Sequence, residues 1–167
     1  EYPPFRTLLL TATLTQESWW TLKTLFGEGE LEVCASVNLR SEPDFYLSKG
    51  SEDERRQRVL ELVHVLPRPF ILYTTTRDDC DKWAKRLKDV GLGRVGKMHG
   101  RTPNRERELV LEDWSNRALD VMVATSAFGL GMDQSDVRAV VHACVPETID
   151  RFYQEVGRGG RDGFASL

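Results

Sequence analysis

The chain has 167 residues, a net charge of −3, and 40% hydrophobic against 29% charged residues, which is one domain's length with enough apolar material for one core. No run approaches the roughly 20 apolar residues of a membrane span, and the acidic balance supplies no bulk attraction to nucleic acid. Three scattered cysteines (Cys34, Cys80 and Cys144) argue against a disulfide frame or a zinc site, and Glu1-Tyr2-Pro3-Pro4 lacks a basic, apolar leader, so a cytoplasmic location is expected.

Leu8-Leu9-Leu10 reads as a short buried strand. Thr15 starts a helix with apolar Trp19, Leu22, Leu25 and Phe26, ended by Gly27. A strand is expected near 31–37 and another at Phe45–Leu47. Ser51 and Glu54 form a capping box for a helix whose core face is Val59, Leu62, Val63 and Leu66, stopped by Pro67. Phe70–Tyr73 is a buried strand, and Thr76 caps a helix with Cys80, Trp83, Ala84, Leu87 and Val90 inward and Gly91 at its end. A strand follows near Arg94–Met98. Thr102 and Pro103 read as the N-cap and first residue of a helix that turns Leu109, Val110 and Trp114 inward. Val121–Ala124 and Ala139–Val141 are buried strands, and Ile149, Phe152, Tyr153 and Val156 mark the last helix. Alternating strands and helices with continuously apolar strands predict an α/β fold with a mainly parallel sheet. Ligands of such folds gather at the carboxyl ends of the strands. The loops Thr74–Arg77, His99–Thr102, Thr125–Asp133 and Val145–Thr148 are therefore the places to look for chemistry.

Two of the motifs carry chemistry. In Gln154–Gly163, Arg158 and Arg161 stand three residues apart among four glycines. A guanidinium is always charged and its fork of donors suits phosphate oxygens, while the glycines allow close backbone approach. The loop Ala124–Asp133 leaves a strand with Thr125 and Ser126, then two glycines and a carboxylate. Hydroxyls at a strand end can hold a phosphate, and an aspartate can hold ribose hydroxyls.

Thr125–Asp133, Val137–His142 and Gln154–Gly163 resemble motifs V and VI of superfamily 2 helicases, and the Arg-Asp-Gly ending with the Val-Val-His strand resembles the RecQ branch. Leu10–Thr13 looks like motif III, Tyr73–Arg77 like motif IV, and His99-Gly100 with Arg107 like the segment between IV and V. The resemblance covers nearly the whole chain. It implies a three-layer RecA-like lobe with helices on both faces of the sheet. Residues 1–30 would be the tail of a first helicase lobe and residues 31–167 the second lobe, cut short at its end. Arg161 would be the arginine finger on the γ-phosphate, supported by Arg158 and Gln154, with Gly131 and Asp133 facing the ribose. Thr75, Thr76, Arg77, His99, Gly100, Arg107, Thr125 and Ser126 would lie along a track for single-stranded or partially duplex DNA. ATP and Mg2+ would be used, without zinc or a membrane, and only together with the first lobe, so the isolated chain is expected to hydrolyse no ATP. An RNA helicase, a non-unwinding translocase, or a non-catalytic module that binds nucleic acid or a partner are the alternatives. The amino-terminal strand, lacking its own sheet, predicts self-association or disorder of residues 1–14.

Two departures stand out: glycine replaces the branch's usual alanine at position 159, and three threonines follow Tyr73 where the branch has Cys-Asn-Ser. If helical, Gly159 should loosen its segment by up to about 1 kcal/mol. Arg77 at a helix start and Arg107 in the mixed run Arg105–Glu108 can also be read as solvated surface charges. Gly91–Lys97 matches two phosphate-loop patterns, but it follows a helix and precedes a strand, so it reads as a helix end and turn. The acidic pairs at Glu52-Asp53 and Glu112-Asp113 fall in helices. His64 and His142 read as core-edge histidines, and Trp19 as a core residue.

Overall fold

The computed structural model describes residues 7–11, 13–27, 32–35, 40–126, 128 and 134–167. The chain divides into two compact units, residues 1–39 and 40–167. In the first, α1 (Gln16–Phe26) begins where the Thr15 hydroxyl accepts the Ser18 N–H at 3.1 Å. It ends at Gly27 with φ 83° and buries none of its residues. Trp19 is therefore not core: it is half-buried, with the Lys23 ammonium 5.2 Å from its ring centre. Leu8–Leu10 forms no strand and is exposed. An apolar triplet becomes a strand only when a neighbour completes its ladder, and none does so among the described residues. The strand expected near 31–37 is absent from residues 32–35, and the rest of that range lies outside the described residues.

The second unit holds all the described buried residues. Its sheet consists of β1 (Phe70–Tyr73), β2 (Val95–Met98), β3 (Val121–Ala124) and β4 (Ala139–His142), all parallel, in the order β2-β3-β1-β4. Register places Phe70 opposite Val121 and Ala139. Strand side chains alternate between faces. Phe70, Leu72, Val121, Val123 and Ala139 thus share one core with Cys80, Trp83, Ala84 and Leu87 of α3 (Arg77–Asp89) and with Val59 of α2 (Glu52–Leu62). Ile71, Tyr73, Met122 and Ala124 share the other with Trp114 of α4 (Asn104–Ser115). The last helix, α5 (Ile149–Val156), lies on this second face, where Phe152 and Glu155 meet His142, which stacks on Tyr73. The result is three layers, as the resemblance implies, around the parallel sheet that the alternation predicts.

Two helices start as expected at Ser51 and Thr76, and α5 starts at Thr148, each hydroxyl accepting a first-turn amide. Their inner faces differ from expectation. Leu62, Val90, Leu109 and Ile149 are exposed at 44%, 37%, 55% and 82%. The inner stripe of α4 runs Arg107, Val110, Leu111, Trp114, rotated from the expected phase, so Arg107 is half-buried and does not lie on a solvated face. His64 falls in the turn after α2 and is exposed. Phe45–Leu47 is not a strand. The sheet edge beyond β4 is made instead by residues near the other end of the chain: Leu167 N–H donates to Arg138 O at 2.9 Å and Val140 N–H to Leu167 O at 2.7 Å. Outside that, Asp44 N–H donates to Ser166 O and Ser166 N–H to Glu42 O. Gly96 and Lys97 of the phosphate-loop look-alike lie in β2, where a Cβ on Gly96 would come 2.6 Å from Leu119.

Candidate functional site

The carboxyl ends of β1 and β3 and the turn after β2 border a groove of about 450 Å³ lined by Thr75, Thr76, Arg77, Asp78, Gly100, Thr125 and Ser126. Six of the eight residues expected along a nucleic-acid track therefore share one surface. The amino end of α3 opens there, and its first-turn amides and dipole favour an anion. Thr75, Arg77 and Ser126 are exposed, whereas Thr125 is buried. Thr76 is committed to its helix: its hydroxyl accepts the Asp79 N–H at 3.1 Å and donates to Asp79 Oδ2 at 2.6 Å.

His99 and Arg107 do not line this groove. His99 N–H donates to Thr102 Oγ1 at 3.0 Å, and Arg101 N–H donates to His99 Nδ1 at 3.2 Å. Thr102 thus closes a turn and is not the cap of α4, whose N-cap is Pro103 without a side-chain bond. His99 Nε2 lies 3.7 Å from Asp81 Oδ1, and the Lys97 ammonium, bonded to Asp81 at 2.5 Å, holds that carboxyl below its usual range. Arg107 Nε is buried and finds no hydrogen-bond partner among the described residues.

The arginine motif forms a loop after α5 that backbone bonds fix to the segment leading into β4. Gly160 N–H donates to Val137 O at 2.9 Å and Asp162 N–H to Ser135 O at 3.1 Å, on either side of Arg161. The Asp162 carboxylate also takes a two-pronged ion pair from Arg138, one bond measuring 3.0 Å, which holds its pKa below the usual range. Arg161 Nε donates to Gly157 O at 3.1 Å. Arg158 and Arg161 meet at a narrow gap beside Ile71, Trp114, Phe128, Gln134 and Val137. Arg158 is half-buried, and its charge opposes the strong upward push that burial exerts on the Tyr73 phenol. Gln154 is exposed on the last turn of α5. Glu155, buried beside it, bonds His142 Nε2 at 2.8 Å and ties α5 to β4. Gly131 and Asp133 lie outside the described residues.

Sequence reasoning missed Arg40. Its Nη1 donates to Gly157 O at 2.9 Å and its Nη2 to Gly160 O at 2.6 Å, while Glu42 Oε2 sits 3.3 Å from its Nε. No local pattern around Asn38-Leu39-Arg40-Ser41 signals this role. Among the described residues no group of three or more His, Cys, Asp and Glu side chains could hold a metal, and no helix is long and apolar enough to cross a membrane. The loop can present two guanidinium groups from a backbone held in place, which suits a polyphosphate.

Residues 54–163 match the family described as the helicase conserved C-terminal domain. Over 174 residues the chain is 36% identical to the probable ATP-dependent DNA helicase RecS of Bacillus subtilis, covering 99% of this chain and 33% of that protein. Over 145 residues it is 47% identical to the ATP-dependent DNA helicase RecQ of the same organism, covering 81% and 24%. The chain thus spans a third or less of the length of these curated relatives. Among solved structures, S. cerevisiae Dbp5 bound to RNA and ADP BeF3 matches with a TM-score of 0.80 at 21% identity, covering 93% of this chain and 42% of that one. That likeness identifies the sheet and its helices as a RecA-like lobe.

Proposed function

The chain belongs to the helicase conserved C-terminal domain family, among the RecQ-like DNA helicases, and from that membership we propose that it is the second lobe of an ATP-dependent DNA helicase, with residues 1–30 as the tail of the first. The observation that carries this reading is the loop of Arg158 and Arg161, held on both sides of Arg161 to the segment that leads into β4. Nucleotide sits between the two lobes. Arg161 reaches the γ-phosphate, with Arg158 and Gln154 beside it, and Gly131 and Asp133 face the ribose. Phosphoryl transfer leaves little covalent work to the protein, so a guanidinium delivered at fixed geometry acts by stabilising charge on the equatorial oxygens. Interactions that strengthen only in the transition state raise turnover rather than affinity. Mg2+ would neutralise phosphate charge, and it is assigned to the first lobe because this lobe supplies cationic groups at the nucleotide. The groove at Thr75, Arg77, Gly100 and Ser126 contacts the backbone of single-stranded DNA without reading sequence. Without the first lobe the chain is inactive.

Arg161→Ala in the full-length helicase is expected to lower ATP turnover by about 10³ or more, with single-stranded DNA affinity changed by no more than a few-fold. Parallel loss of turnover and DNA binding would contradict the assigned role.

A further inference from the structure

We infer that Arg40 is a positioning residue for the arginine finger, an inference that rests on the proposed role of Arg161. One guanidinium donates to two carbonyls of the arginine loop, Gly157 O at 2.9 Å and Gly160 O at 2.6 Å, so it brackets Arg158. The Gly157 carbonyl is the same oxygen that accepts the Arg161 Nε at 3.1 Å. A carbonyl oxygen has two lone pairs, so both donors can be held together. Arg40 thus fixes the acceptor from which the Arg161 side chain takes its direction. The loop needs such a brace: Gly157, Gly159 and Gly160 give its backbone little stiffness of its own, and Gly160 sits at φ 59°. Glu42, 3.3 Å from Arg40 Nε, keeps the guanidinium plane turned toward the two carbonyls. Arg40 acts on the proposed nucleotide site through the backbone of the loop that carries Arg158 and Arg161, so its effect should fall on turnover and leave affinity alone.

The test compares Arg40→Met, Arg40→Lys, Arg161→Ala and Arg40→Met/Arg161→Ala in the full-length helicase, by ATP turnover with single-stranded DNA and by nucleotide KM. Arg40→Met should lower kcat by ~10-fold or more, since misplacing a catalytic group by about 1 Å costs on the order of 100-fold, with KM changed by less than about twofold. Arg40→Lys should not rescue, because one ammonium cannot take two carbonyls in a fixed fork. The double variant should be no slower than Arg161→Ala. Wild-type kcat in Arg40→Met, a full rescue by lysine, or multiplying losses in the double variant would overturn the inference. If Arg161→Ala itself keeps wild-type turnover, it is the finger reading that fails. Should Arg40→Met not fold, Glu42→Gln replaces it: a several-fold lower kcat at unchanged KM supports the inference and an unchanged kcat overturns it.

Discussion

Gly159 shows how a residue read as a weakness can be a fit. Alanine is the expected occupant, and glycine there should loosen a helical segment. In the structure Gly159 follows the end of α5, is buried, and bridges to Val137. A Cβ at this position would lie 2.9 Å from Ser166 Oγ and 3.1 Å from Ser166 Cβ. Glycine therefore makes room for Ser166, whose backbone forms the sheet edge with Glu42 and Asp44. Gly159→Ala is expected to destabilise the fold by about 1–3 kcal/mol through overpacking, read by urea unfolding. Adding Ser166→Gly should recover part of that loss, with a coupling above about 0.5 kcal/mol. Strictly additive effects would show that the two positions do not compete for space. At the neighbouring Gly160 a Cβ would stand 2.5 Å from Phe164 O, so no other residue fits.

Among the elements, α2 depends most on its end. Within the helix only Val59 is buried. Its start is secured reciprocally: Glu54 N–H donates to Ser51 Oγ at 3.3 Å and Ser51 N–H donates to Glu54 Oε2 at 2.7 Å. Ser51→Ala should lower the unfolding midpoint by roughly 2–4 °C. The backbone bond from Ser51 holds the Glu54 carboxyl below its ordinary 4.5. Its contribution is present above that value and fades as pH falls through the depressed range. Alanine keeps that backbone bond and loses the one that the Ser51 hydroxyl donates to Glu54 Oε2 at 3.0 Å, so the part of the Ser51→Ala deficit carried by this bond should fade below about pH 4, and a deficit that grows there would contradict the box. The four strands of the sheet and the caps at Ser51 and Thr76 are legible because they are local, an apolar run or a hydroxyl before a charged first turn, whereas Leu8–Leu10 forms no strand and Thr102 closes a turn ahead of α4. Helix phase was less so, as Leu109 and Arg107 show, because the face that packs is decided by the sheet beneath. Phe45–Leu47 has strand composition but lies exposed, while Pro43 and Ser166 pair. Likewise the hydroxyls of the site stand out in strand-end loops, and its arginines and glycines as a motif after the last helix. Arg40 did not, since its partners lie 117 and 120 positions away and leave no mark in the neighbouring residues.

At the scale of the molecule, the core, the groove and the arginine loop all belong to residues 40–167. Residues 40–167 alone should therefore unfold cooperatively, with a midpoint within roughly 5 °C of the whole chain, by circular dichroism. A much larger fall would mean that residues 1–39 support the core. The bonds from Arg40 to the arginine loop, and those from Glu42 and Asp44 to Ser166, span nearly the full length of this unit. Closing so long a loop costs entropy before any contact repays it, so these pairings come late in folding. The four parallel strands can reach register while Arg158 and Arg161 still wander. During synthesis a chain that has just released β4 already has its four strands, while the loop of Arg158 and Arg161 sets only once Gly160 and Asp162 have followed to meet Arg40, Val137 and Ser135.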